Sequence, residues 1–79
     1  MSRVATMSIF IDERESIIKA NEILMEYSDI IVSRMGIPYR ERGLSVIVLI
    51  LDGDTDKIGA LSGKIGNLKG ISVKTAMKK

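Results

Sequence analysis

Apolar positions follow two rhythms along the chain. Val4 to Ile11 (VATMSIFI) is dense in β-branched and apolar side chains, which predicts a first strand. Asp12-Glu13-Arg14-Glu15 interrupts it, with Asp12 and Glu15 spaced as a capping box at the positive end of a helix. Ile17, Ala20, Leu24 and Tyr27 then recur at three-to-four spacing, so the first helix is expected to run to about Tyr27. Ile30 to Met35 (IIVSRM) predicts a second strand, and Gly36 to Gly43 (GIPYRERG) turns the chain. Leu44 to Leu51 (LSVIVLIL) predicts a third strand. Asp52-Gly53-Asp54-Thr55 stops it and offers caps for a second helix, on which Ile58, Leu61, Ile65 and Leu68 share one face. Gly70 ends that segment, and Ile71 to Met77 (ISVKTAM) predicts the last strand.

The order β-α-β-β-α-β is the split βαβ, or ferredoxin-like, arrangement. It predicts an α+β protein with one domain over residues 1–79: a four-stranded antiparallel sheet, the first and third strands central, both helices on one face. A sheet covered on one face alternates apolar and polar residues. The third strand does not. Leu44, Val46, Val48 and Ile50 fall on one side, Ile47, Leu49 and Leu51 on the other, and only Ser45 is polar. The first strand is apolar on both sides as well. A second surface this oily predicts self-association, as a dimer or tetramer, with Val46, Val48, Ile50, Met7 and Ile9 as candidate interface residues.

Two helical features stay open at this level. Ile18 and Met25, seven apart, form a second apolar stripe on the first helix, either a wide core face or a docking surface. Gly59, Gly63 and Gly66 lie opposite the apolar face of the second helix. They mark a frayed helix end, or a stripe on which a partner helix or small ligand packs.

Composition removes much chemistry. The chain has 79 residues, 12 basic and 10 acidic, with a net charge of +2. It has no cysteine and no histidine. Disulfides, thiolate metal sites and the usual general base are therefore excluded, and no loop spaces acids like a calcium site, so no metal and no cofactor is expected. No apolar run approaches the roughly 20 residues that span a bilayer. The start of the chain lacks a signal-peptide cleavage pattern, and a cytoplasmic location is the expectation.

Enzymatic readings find little support. No base accompanies Ser8, Ser16, Ser33, Ser62 or Thr75, and the GK of Gly63-Lys64 lies within a predicted helix rather than after a strand. One small enzyme class on this fold hydrolyses acyl phosphates with an arginine in the first strand–helix loop. Here Arg14 has that place, among acids that repel an anion. RNA-recognition modules share the strand order, but Arg42-Gly43-Leu44-Ser45-Val46-Ile47-Val48-Leu49 puts aliphatics where base-stacking rings belong, which disfavours direct nucleic-acid binding.

The arginines of GIPYRERG remain. Arg40 and Arg42, two apart, face the same way if the hairpin stays extended, with Arg34 before them and Tyr39 beside them. Paired guanidinium groups hold a carboxylate or phosphate bidentately. Arg34, Tyr39, Arg40 and Arg42 are thus candidate ligand-binding residues for a small anionic metabolite between subunits. The loops Asp12–Glu15 and Asp52–Thr55 are alternative linings. The competing reading is a solvated hairpin tip whose charges pair with acids of a neighbouring subunit.

Three stretches carry a family resemblance: Asn21-Glu22-Ile23-Leu24, then Arg34 through Gly43 (RMGIPYRERG), then Ala60 through Gly66 (ALSGKIG) leading to Gly70 through Thr75 (GISVKT). With these the whole chain resembles the small iron-only hydrogenase system regulators. Such proteins look like free-standing relatives of ACT domains and of the C-terminal domain of the nickel-responsive repressor, oligomeric ligand sensors with ferredoxin-like folds. The resemblance implies a non-enzymatic regulatory module. It departs from the repressor in having no histidine or cysteine for nickel and no separate DNA-binding segment, so transcriptional control would pass through a partner. An interaction module that takes a protein partner and no small ligand is the alternative.

Overall fold

Alternation along the strands builds the core. In the computed structural model, which describes residues 2–79, β1 (Ser2–Ile11) sends Ala5, Met7, Ile9 and Ile11 to one side, where all four are buried. β3 (Leu44–Asp54) pairs with it antiparallel and sends Ile47, Leu49 and Leu51 to the same side. α1 (Glu15–Glu26) and α2 (Thr55–Gly66) cover that side, contributing Ala20 and Leu24 from one helix and Ile58, Leu61 and Ile65 from the other. β2 (Ile31–Tyr39) and β4 (Ile71–Met77) are the edges, giving the antiparallel order β2-β3-β1-β4 with the two apolar strands central, as the pattern predicts. Two 3-10 turns, Ser28–Ile30 and Arg40–Arg42, join the elements on either side of β2.

Local signals set the boundaries, with three departures. Asp54 caps α2 as expected, its carboxylate accepting from the Asp56 N–H at 3.1 Å. The capping box of α1 does not form. Asp12 is tied instead to the start of β4, donating its N–H to the Gly70 carbonyl at 2.8 Å. The helix begins later, after Arg14, without a side-chain cap. β2 extends beyond Met35 through Gly36-Ile37-Pro38-Tyr39, and Pro38 is tolerated because β2 is an edge strand. The turn is therefore only Arg40 to Gly43, with Gly43 left-handed at φ 59°. It is helical rather than extended, so Arg40 and Arg42 do not share a face as alternate strand residues would.

Gly59 and Gly63 lie inside α2, not at a frayed end, and no described residue packs within 4 Å of the place a Cβ would take. Gly53 is different. A Cβ there would meet Ile30 Cγ2 at 2.6 Å, so glycine lets Ile30 seat against β3.

Candidate functional site

The site geometry starts from one pairing. Ile11 at the end of β1 lies beside Ser45 at the start of β3, so the β1–α1 loop and the β2–β3 hairpin leave the sheet side by side. Between them opens a cleft of about 790 Å³. Arg14 and Asp12 reach it from the loop, Arg40 from the hairpin, and Ile17, Pro38 and Leu44 give it apolar walls. Among the described residues, Arg14, Arg40 and Arg42 make no ion pair.

The expected arginine cluster is thus divided. Arg40 lines this cleft and Arg42 does not. Arg34 lies farther back along β2, where its Nη2 donates to Asn21 Oδ1 at 2.8 Å. It borders a second hollow of about 430 Å³ between α1 and β2, with Leu24, Met25 and Ile31. Tyr39 pairs across the hairpin with Leu44 and lies on the sheet face away from the helices, outside both hollows. The sequence reading missed Arg14 as a partner for Arg40. The signal was the topology itself, because adjacent central strands bring their loops together at one end.

The second surface is the open sheet face. Cross-strand partners share a face, so Ile37, Val46 and Phe10 form one row, Met35 and Val48 the next, and Ile50 follows beside Thr6. Met35 is 57% exposed and Ile50 43%, and Val46 and Val48 are half-buried. Met7 and Ile9 correct the expected interface set. They are fully buried under the helices, one strand position out of phase with the open face, and no partner can reach them. The patch is lopsided. Toward β4 the same rows end in Ser72 and Lys74, so the apolar half lies over β2 and β3.

The outer face of α1 is the third feature. Ile18 and Met25 are 70% and 76% exposed, which places the second stripe outside the core. Among the described residues no helix is long and apolar enough to cross a membrane, and no group of three or more acids could hold a metal ion.

Comparison with solved structures shows the same fold in several chains. The uncharacterized protein TM1266 from Thermotoga maritima is 39% identical, with a TM-score of 0.96 and full coverage of both chains. An unknown protein from Galdieria sulphuraria is 12% identical with a TM-score of 0.72, over all of this chain and 46% of that one. The divalent ion tolerance protein CutA1 from Ehrlichia chaffeensis is 14% identical with a TM-score of 0.52, over all of this chain and 84% of that one. The last two show the fold alone. No curated protein matches. A family model described as "Iron-only hydrogenase system regulator, putative" matches residues 3–75. The chain therefore belongs to this TM1266-like family.

Proposed function

We propose that the protein is a non-enzymatic regulatory module that works as a homo-oligomer and responds to a small anionic ligand. The open sheet face carries this reading. Large apolar side chains lie partly exposed in three successive rows that their own chain leaves open. A side chain of this kind gains about 1.5–3 kcal/mol on going from full exposure to full burial, and each of these gains the share that is still in water. A second copy offers the same patch, and two sheets packed face to face form a sandwich with interdigitating side chains. The Arg14–Arg40 cleft supports the ligand, because two arginines unpaired among the described residues meet there above apolar walls.

A second reading has its own observation. Ile18 and Met25 stand in water on the outer face of α1, as a surface for a protein partner would. A thermal-shift screen of amino acids, nucleotides and phosphorylated metabolites separates the two. A specific ligand at roughly 100 times its Kd stabilises by about 2.7 kcal/mol. No response across the panel, from a protein that still self-associates, favours the interaction module.

A further inference from the structure

The cleft and the open sheet face share one wall. Tyr39 and Leu44 pair across the hairpin. Tyr39 stands at the end of the apolar patch, while Leu44 and Arg40, the residue after Tyr39, line the cleft. Resting on the regulatory reading above, we propose that this cleft, inside a single protomer rather than between two, binds a small aliphatic carboxylate, and that the hairpin couples its occupancy to assembly.

The chemistry of the lining names the ligand class. Arg14 and Arg40 come from separate loops and present guanidinium groups suited to a planar carboxylate. Asp12 lines the same cleft, so the charges leave a single positive excess. One carboxylate balances it, whereas a phosphate dianion brings more negative charge toward Asp12. Among the described residues no aromatic side chain lines the cleft, so a nucleobase has nothing to stack on. Ile17, Pro38 and Leu44 instead suit a short aliphatic body.

The coupling follows from the turn. Arg40–Arg42 is one 3-10 turn closed by the Gly43 N–H on the Arg40 carbonyl at 3.0 Å. Its flanks are Tyr39 and Leu44. An acid held on Arg40 biases the position of a hairpin that also bounds the apolar patch. Affinity for the acid and affinity for a second copy are then linked reciprocally.

An amide NMR titration of the full chain with isocaproate, isovalerate and α-ketoisocaproate, each against inorganic phosphate, tests this, with sedimentation on the same samples. The expected result is shifts at Arg14, Ile17, Arg40 and Leu44 with the carboxylates and none with phosphate. R14Q and R40Q should each weaken binding about tenfold, R42Q should leave it unchanged, and the acid should move the self-association constant. Silence toward all three acids, an equal response to phosphate, or binding unchanged in R40Q overturns the site. Binding with no change in self-association overturns the coupling. A monomer that binds at the cleft sinks the oligomeric reading and the coupling but leaves the site standing. An oligomer that binds no acid does the reverse.

Discussion

The Ser16 hydroxyl donates to the Lys69 carbonyl at 2.6 Å, joining the first turn of α1 to the loop before β4 across 53 positions of sequence. Ser16 is buried but Lys69 is exposed, so water can reach the carbonyl when the hydroxyl is removed. Ser16→Ala is expected to cost the net worth of one hydrogen bond, about 0.5–1.5 kcal/mol. Urea denaturation measures it.

Two glycines should respond in opposite directions. Gly53→Ala forces a methyl into Ile30 and is expected to destabilise by about 1–3 kcal/mol. Gly63→Ala fills open space within α2 and should stabilise by about 0.5–1 kcal/mol. Thermal unfolding of the two variants beside the parent reads both signs.

Asp29 should titrate low. The Lys57 ammonium hydrogen-bonds its carboxylate and holds it below its ordinary value of 3.8, and the same bond raises Lys57 above 10.5. The Asp29 contribution to stability is complete above the ordinary carboxylate value and fades as pH falls through the lowered folded value. The Lys57 contribution is present below 10.5 and fades as pH rises through its raised value. Both side chains are largely exposed, so the effect on stability is small and weakens with salt. Carboxyl NMR should show Asp29 rising in Lys57→Met.

The two faces of the sheet should answer a charge differently. Val48→Asp puts a carboxylate on the open face and should abolish assembly while circular dichroism stays native. Ile9→Asp puts one in the core, where an unpaired charge is costly enough to unfold the domain. A Val48→Asp protein that unfolds like Ile9→Asp would place Val48 in the core of the single chain.

Most of the fold was legible because it is written in short-range rhythm. The period of α2 and the unbroken apolar run of β3 report element type directly, and Asp54 caps where its residue type prefers. Long-range choices were not legible. Asp12 and Glu15 have capping-box spacing, but the Gly70 carbonyl claims the Asp12 N–H. Met7 and Ile9 looked like any apolar strand residues, and only the register with Leu49 and Ile47 puts them under the helices. Arg34 and Arg40 are near in sequence, but one sits within β2 and the other just past its end, and they border different hollows. Arg14 and Arg40 are far apart in sequence and share a cleft. Local pattern fixes what an element is, while register and topology decide which side chains meet.

The most direct measurement is the molar mass of the unmodified chain in solution, by light scattering across low to high micromolar concentration. The expected value is a whole multiple of the 8.7 kDa chain, at least two. A mass of one chain throughout that range would contradict the claim that copies of this chain cover the open sheet face for one another.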